Sequence, residues 1–360
     1  MKKKKILFLS YFFPPFESVG VKRIAYWYNN ISEYGYKAVV FTAIKQTKKD
    51  ENIHYVAPEN NNSLLSKLIK DKGLAWINPL KKRLKQYNKE DFDIILISGG
   101  PFMQMLISKF LKNNFNTKVI LDFRDPFYAN PRFPKNKIKD FIKLYFQNRF
   151  LKYADVVITV NSECKKLINH NNIELIDNGF DETILNTLSF NRLENNTNKS
   201  IHNGIATGRV DSDFDITPFF HALEKDTNIS FGYIGNHDFK EYSGKYHHGG
   251  VLEYSKALEF INNADFCILF TGGEAFESST KIFDYLGLNK TILIITQGEV
   301  KTGSLHEITN AYPNVFWTKN NIKDILQAFS KIKKHKNLQI DTNKYARKEG
   351  LKLLTQIIER

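Results

Sequence analysis

The densest group of residues that could do chemistry spans residues 272–286. A glycine pair follows a run of strand length, and a helix is expected to begin near Ser278–Ser279. Such a loop presents backbone N–H groups and the positive end of a helix dipole to an anion. Lys281 adds a cation in the first turn, and Asp284 lies one turn further on the same side. The pattern predicts an anion site beside a carboxylate suited to ribose hydroxyls.

Two further groups of polar residues follow runs of strand length. After residues 204–207, Gly208 would let the backbone approach a phosphate that Arg209 could bind bidentately. After residues 119–121, Arg124 and Asp125 would stand at the carboxyl end of a strand, where ligands are bound. The alternative for Arg209 is an ordinary surface arginine after a turn. The alternative for Arg124 and Asp125 is a salt-bridged anchor of the loop.

The first predicted turn excludes two common activities. Residues 11–23 contain neither Gly-x-Gly-x-x-Gly nor a Walker loop, which argues against NAD chemistry and ATP hydrolysis. Cys164 and Cys267 are far apart and lack metal-ligand spacing, so a disulfide framework or zinc site is not expected. The adjacent His247 and His248 could not easily share one metal ion.

The positive charge is concentrated in the first half of the chain. The 360 residues carry a net charge of +14, and residues 1–185 hold 31 Lys and Arg against 18 Asp and Glu. Residues 186–360 hold 21 against 20. A basic surface of this kind attracts anionic membrane, nucleic acid or a phosphorylated substrate.

Residues 63–87 form a pattern of two basic amphipathic helices with Trp76 at their junction. This pattern is typical of a membrane-surface element, and an ordinary exposed helix pair packed on a sheet is the alternative. No apolar run approaches the length of a spanning helix. The residues predicted to contact a membrane are Lys81, Lys82, Arg83 and Lys85.

The elements that must position these residues alternate between strand and helix. Continuous apolar runs separated by helical patterns indicate parallel sheets covered on both faces. A polar, Asn-rich stretch at residues 186–203 is the candidate linker, so we expect two consecutive doubly wound domains with a site in the cleft between them. The expected strands are residues 6–10, 38–42, 93–98, 118–123, 156–160, 173–176, 204–207, 230–234, 266–270, 291–296 and 314–317.

In this order, the motifs resemble the GT-B glycosyltransferases, specifically the retaining group called family 4-like. The residues that carry the resemblance are Phe13-Pro14-Pro15 with Gly20 and Arg23, Asp122-Phe-Arg-Asp-Pro126, Ala154-Asp155-Val-Val-Ile-Thr-Val160, Asn178-Gly179-Phe180-Asp181, Gly208-Arg209, Gly250-Val251, Ala264-Asp265 and Lys281-Ile-Phe-Asp-Tyr285.

The resemblance implies an α/β fold class: two Rossmann-like doubly wound domains facing each other across a cleft. Residues 1–190 would form the acceptor domain and residues 200–340 the nucleotide-sugar domain. Residues 341–360 would form a C-terminal helix that returns to the first domain.

The resemblance also assigns roles to individual residues. Gly20, Arg209, Thr280 and Lys281 would bind the donor diphosphate, Asp284 the ribose, and Arg124 with Asp125 would be catalytic. The family has two acids eight residues apart, but here Phe276 stands eight residues before Asp284. Contact with the donor sugar is therefore assigned to its neighbours, Glu274 and Glu277.

The implied activity is transfer of a sugar, with retention, from a nucleotide-sugar to a saccharide or lipid-linked acceptor in cell-envelope polysaccharide or glycan biosynthesis. No cofactor is expected, because the nucleotide-sugar is a substrate, and the resemblance implies a reaction without a bound metal. The expected location is cytoplasmic, peripheral on the inner face of the cytoplasmic membrane. The partners would be donor, acceptor and an anionic membrane surface, without nucleic acid.

Three alternatives remain open at this point. A nucleotide-sugar 2-epimerase would share the fold but release no free nucleotide as net product. A nucleic-acid-binding protein would use the basic surface, although no zinc, RRM or helix-turn-helix pattern is present. A binding protein without activity would account for the irregular acid pair.

Overall fold

A computed structural model of the chain describes residues 3–60, 63–130, 136–188, 200–210 and 213–360. It divides into two compact units. Unit 1 comprises Met1–Asn178 with Gly350–Arg360, and unit 2 comprises Gly179–Glu349. The boundary therefore precedes the predicted limit at residue 190, and most of the predicted linker, residues 189–199, lies outside the described residues.

Unit 1 contains a parallel sheet of seven strands, in the order β3-β2-β1-β4-β5-β6-β7. Its strands form because apolar runs are buried on both faces, and in β4 all five side chains are buried. The elements are β1 (Lys4–Leu9), α1 (Val19–Asn30), β2 (Tyr36–Thr42), β3 (Ile53–Tyr55), α2 (Leu64–Ile69), α3 (Ile77–Leu84), β4 (Ile94–Ser98), α4 (Ser108–Asn114), β5 (Lys118–Phe123), α5 (Lys137–Leu151), β6 (Val156–Thr159), α6 (Ser162–Lys166) and β7 (Ile173–Leu175).

Unit 2 contains a second parallel sheet, of six strands, in the order β10-β9-β8-β11-β12-β13. Its helices cover both faces, as in unit 1. The elements from here to the end of the chain are α7 (Glu182–Leu185), β8 (His202–Thr207), α8 (Thr217–Lys225), β9 (Ile229–Ile234), β10 (His247–His248), α9 (Tyr254–Asn263), β11 (Phe266–Thr271), α10 (Lys281–Gly287), β12 (Thr291–Thr296), α11 (Gly303–Thr309), β13 (Val315–Lys319), α12 (Ile322–Lys334) and α13 (Arg347–Glu359).

All eleven predicted strands are present, with shifts of one or two residues at some ends. The sequence analysis missed β3 and β10, which have three and two residues. Both sheets are wholly parallel and belong to Rossmann-like domains, so the predicted fold class is confirmed.

The last helix, α13, packs within unit 1 along most of its length. Leu351, Leu354, Ile357 and Ile358 are buried in the same core as α1 and one face of the sheet. Lys118 on β5 donates from Nζ to the carbonyl oxygens of Ile357 and Ile358, which are otherwise unsatisfied at a helix end.

Two neighbouring leucines of α13 provide a test of this packing. Leu354 is fully buried, whereas Leu353 is 44% exposed. Leu354→Ala should lower the free energy of unfolding by about 2–5 kcal/mol, because it leaves a cavity in the core. Leu353→Ala should change it by less than about 1 kcal/mol. Urea unfolding followed by circular dichroism measures both, and equal losses would contradict the packing of α13.

Candidate functional site

In unit 1, the structure brings Gly20 and Arg124 together at the carboxyl edge of the sheet. A Cβ atom on residue 20 would lie 1.4 Å from Arg124 Nη1, so the guanidinium rests where only glycine leaves room. Arg124 Nη2 donates to the carbonyl oxygen of Gly99, which follows β4. Arg124 Nε is buried and has no hydrogen-bond partner among the described residues.

Burial and two nearby carboxylates act in opposite directions on the charge of this arginine. Burial lowers the pKa of Arg124 below its ordinary value, while the carboxylates of Asp122 and Asp125 act in the opposite direction. Arg124 nevertheless keeps its positive charge, because an arginine side chain does not lose its proton in proteins. Arg124 is thus a half-buried cation at the end of β5, next to the exposed Asp125.

Asp122, in the same motif, has a different role. Its carboxylate is fully buried and pairs with Arg23 of α1, with 3.3 Å between Oδ1 and Nη2. Arg23 also donates to the carbonyl oxygens of Ile176, at 2.6 Å, and Asp177, at 3.1 Å. The Arg23–Asp122 pair therefore joins three segments of unit 1. Of the two acids of the motif, only Asp125 is accessible.

In unit 2, the structure brings Arg209 and Lys281 together. Lys281 Nζ donates to the carbonyl oxygen of Arg209 at 2.6 Å. The lysine stem lies against Gly208, whose φ of 74° and lack of a side chain both favour glycine. A Cβ atom on residue 208 would be 2.7 Å from Lys281 Cε. Thr280 directly precedes α10, which begins at Lys281 rather than near residue 278 as predicted.

Asp284 is held by a tyrosine that the sequence analysis did not select. Tyr254 of α9 donates from its hydroxyl to Asp284 Oδ1 at 2.5 Å. Burial, followed by the charge of Asp284, raises the pKa of Tyr254 far above its ordinary value. The tyrosine therefore stays protonated and keeps donating. Arg347 lies close enough to oppose this shift and forms an ion pair with Asp181 at 3.1 Å.

The two candidate sugar-binding acids lie on the loop between β11 and α10. Glu277 accepts a hydrogen bond from the Thr271 hydroxyl at the end of β11, and its backbone N–H donates to the Glu274 carbonyl at 2.9 Å. Glu274 is exposed, whereas Phe276 is buried in the position eight residues before Asp284. A carboxylate at residue 276 would therefore have to be buried.

Another tyrosine missed by the sequence analysis contacts the Gly208–Arg209 turn. Tyr233, at the end of β9, is fully buried and donates from its hydroxyl to the Gly208 carbonyl oxygen. The residue type that could have pointed to this contact is Gly235, two residues after Tyr233. In the structure, a Cβ atom at residue 235 would lie 2.3 Å from the Tyr233 hydroxyl oxygen, so a side chain there would displace it.

The helices predicted to meet a membrane place their apolar side in the core. Trp76 is fully buried and donates from Nε1 to the Val56 carbonyl oxygen at 2.7 Å, so its interpretation as part of a membrane-surface element is wrong. Ile77, Leu80 and Leu84 of α3 are buried as well. Lys82 and Lys85 are exposed and Lys81 is half-buried. Arg83, also half-buried, turns toward His54, and its guanidinium lies 6.0 Å from the centroid of the buried Phe41 ring.

Within the described ranges, no helix is long and apolar enough to span a bilayer. Within the same ranges, no three His, Cys, Asp or Glu side chains are grouped so that they could hold a metal ion.

Comparisons with known proteins identify the fold. No protein-family model matches the chain, and no curated protein matches it significantly. The lipopolysaccharide outer core galactosyltransferase WaaB, in its apo form, matches with a TM-score of 0.66 and 13% identity over 99% of each chain. HepE from Anabaena, solved with UDP and glucose, matches with a TM-score of 0.64 and 15% identity over 99% of each chain.

An epimerase has the same fold. The UDP-GlcNAc 2-epimerase from Neisseria meningitidis, bound to UDP-GlcNAc, matches with a TM-score of 0.61 and 11% identity, covering 99% of this chain and 100% of that one. At such identities, the likeness establishes architecture. The chain has the GT-B fold.

The two acids of the unit 1 motif should respond differently to neutralisation. Asp122→Asn leaves Arg23 buried without its counter-charge, which should cost about 3–5 kcal/mol of unfolding free energy. Asp125→Asn, at an exposed position, should change stability by less than about 0.5 kcal/mol. Urea unfolding of both variants checks this difference, and a stable Asp122→Asn protein would show that the ion pair is dispensable.

Proposed function

We propose that this protein is a glycosyltransferase that moves a sugar from a nucleotide-sugar to a saccharide or lipid-linked acceptor in cell-envelope polysaccharide or glycan biosynthesis. The observation that carries the proposal is the contact of Lys281 with the Gly208–Arg209 turn in the second Rossmann-like domain of a GT-B fold. The likeness to WaaB, a galactosyltransferase of the lipopolysaccharide outer core, supports the choice of pathway class.

The donor would bind in unit 2. Lys281 and Arg209 would neutralise the diphosphate, and the glycine at position 208 would let its oxygens approach the backbone. Asp284, oriented by Tyr254, would accept hydrogen bonds from the ribose hydroxyls. Glu274 and Glu277 would contact the donor sugar from the loop after β11. The likeness to HepE, which was solved with UDP and glucose, supports a nucleotide-sugar as the ligand class.

The catalytic groups of unit 1 would be Arg124 and Asp125. Arg124 is held by Gly99 and by the space over Gly20, so its charge is placed without rearrangement. Asp125, exposed beside it, could accept the proton of an acceptor hydroxyl. Gly20 would offer its backbone to the phosphates.

A 2-epimerase is the second candidate, because the UDP-GlcNAc 2-epimerase from Neisseria meningitidis has the same fold. Both candidates would bind a nucleotide-sugar through the same residues of unit 2. Incubation with donor and acceptor separates them, since a transferase releases one free nucleotide for each sugar transferred. An epimerase converts the donor and leaves the nucleotide attached.

The protein is further proposed to act at the inner face of the cytoplasmic membrane, as a peripheral protein. The support is the excess of cations in residues 1–185, where 31 Lys and Arg face 18 Asp and Glu. Lys81, Lys82 and Arg83 of α3, with Lys85 directly after it, would contribute electrostatic attraction to anionic lipid close to the surface.

Removing either donor-site cation should weaken nucleotide binding. A charge-assisted hydrogen bond contributes about 1.5–3 kcal/mol, so Arg209→Ala and Lys281→Ala should each raise the Kd for UDP about tenfold or more. Isothermal titration calorimetry measures the affinity, after UDP, GDP, ADP and dTDP have been compared with the wild type. Lys256→Ala, which removes an exposed lysine of α9, is the matched control and should bind normally.

The melting temperature of each variant shows whether the fold is retained. Normal UDP affinity in both the Arg209 and the Lys281 variant would refute the assignment of the diphosphate site, provided that the wild type binds UDP.

The reaction should proceed with retention and without a divalent metal. The positive charges of Arg209 and Lys281 lie where a metal would otherwise neutralise the leaving diphosphate, and a preorganised site needs no added ion. Transfer should therefore continue in excess EDTA, and the anomeric coupling constant of the product should match that of the donor by NMR. Activity lost to EDTA and restored by magnesium or manganese would contradict the first claim. An inverted product would contradict the second.

A further inference from the structure

Helix α5 carries apolar side chains on its outer face as well as its inner face. Phe150 and Leu151 are buried in the core of unit 1. In contrast, Ile138 is 71% exposed, Phe141 72% and Tyr145 50%. Positions three, four and seven residues apart lie on one side of a helix, so these three form a continuous apolar stripe. A contiguous exposed stripe of large apolar groups marks an interaction surface.

The stripe is bordered by cations. Exposed Lys137 and Lys139 flank its start, and Arg149 lies near its end. Arg149 donates from Nη1 to the Tyr145 hydroxyl at 2.8 Å, and its guanidinium lies 5.6 Å from that ring's centroid. Within α5, Asp140 is the single acid. The neighbouring helix α2 packs beside α5 and adds the exposed Lys67 and, at its end, Lys70.

Helix α5 is held in place by an N-terminal cap and by packing on the core. The side chain of Asn136 caps its N-terminus by accepting from the Lys139 N–H at 3.0 Å. Its inner side packs on the core through Phe150. The centroid of the Phe150 ring lies 5.8 Å from that of Phe123 and 5.7 Å from that of Phe127. The outward stripe is therefore held in place by the core rather than exposed by a loose segment.

We infer that the outer face of α5 docks on an anionic lipid bilayer, with Ile138, Phe141 and Tyr145 entering the interface and the surrounding lysines contacting phosphate headgroups. Apolar groups ringed by Lys and Arg complement such a surface, because lipid offers both acyl chains and negative charge over one area. Helix α3 lacks this combination, since its apolar side is buried.

The inference rests on the peripheral location proposed above. It is tested by vesicle binding alone, so its failure is distinguishable from a failure of the donor-site proposal, which is measured by UDP affinity. The probe is a set of extruded vesicles made of equal parts phosphatidylglycerol and phosphatidylcholine, with pure phosphatidylcholine vesicles as the neutral comparison.

The key variant replaces the three stripe residues with serine: Ile138→Ser, Phe141→Ser and Tyr145→Ser. In flotation experiments, the wild type should bind the anionic vesicles, and the triple variant should bind at least about tenfold less. Phe260→Ser, which removes a 46% exposed aromatic residue from α9 in unit 2, is the matched control and should bind like the wild type. Replacing Lys81, Lys82, Arg83 and Lys85 with Gln should have a smaller effect than the triple serine variant.

A fluorescent reporter tests insertion directly. Phe141→Trp should shift its emission to the blue on anionic vesicles, and brominated lipids should quench it, relative to the wild type. An unchanged melting temperature and UDP affinity of the serine variant would show that only the surface has changed.

Three results would overturn the inference. The first is a wild-type protein that ignores anionic vesicles, and the second is a triple variant that binds them normally. The third is a concentration-dependent dimer that the triple variant abolishes without any effect on vesicle binding, because the stripe would then pair with a second copy.

Discussion

The buried ion pair between Arg23 and Asp122 determines the geometry of unit 1. It connects α1 to β5, and the same guanidinium donates to the backbone after β7. Gly20 lies one turn before Arg23 on α1, and Arg124 lies two residues after Asp122, directly beyond the end of β5. Holding Arg23 on Asp122 therefore brings Gly20 under the Arg124 guanidinium. A buried pair costs desolvation and contributes little net stability, so its value here is positional.

The Gly208–Arg209 turn of unit 2 is held through its backbone oxygen atoms and through the space that glycine leaves. The Gly208–Arg209 turn presents carbonyl groups to Lys281 and to Tyr233, so one turn is held from two sides. The close approach of the Lys281 stem requires the missing side chain at residue 208. Asp284 is fixed independently, one helical turn later, by Tyr254. A cation and a carboxylate thus occupy fixed positions on one short helix, which is what the proposed recognition of a ribose diphosphate requires.

Much of the architecture could be predicted from the sequence, because continuous apolar runs of strand length separated by helical periodicity have few other interpretations. The short β3 and β10 carry too few residues for a pattern. Local patterns also could not reveal Tyr254 or the partner of Arg23, since both contacts join residues distant in the chain. Trp76 was misinterpreted because periodicity identifies an apolar stripe without saying which way it faces. The outer stripe of α5 was missed for a related reason: with apolar residues on both sides, the helix shows little amphipathic contrast.

The uneven charge of the two halves fits a division of electrostatic tasks. Residues 186–360 contain the proposed diphosphate site and yet hold 21 Lys and Arg against 20 Asp and Glu. Binding of a diphosphate there, as proposed, would depend on two placed cations, not on bulk charge. The excess in residues 1–185 would then be available to a partner larger than one substrate. Attraction from exposed charges reaches only about 8 Å in physiological salt, so a spread of surface lysines acts best on an extended anionic partner close by. An anionic bilayer has that form, and α5 supplies the apolar contact that charge alone does not provide.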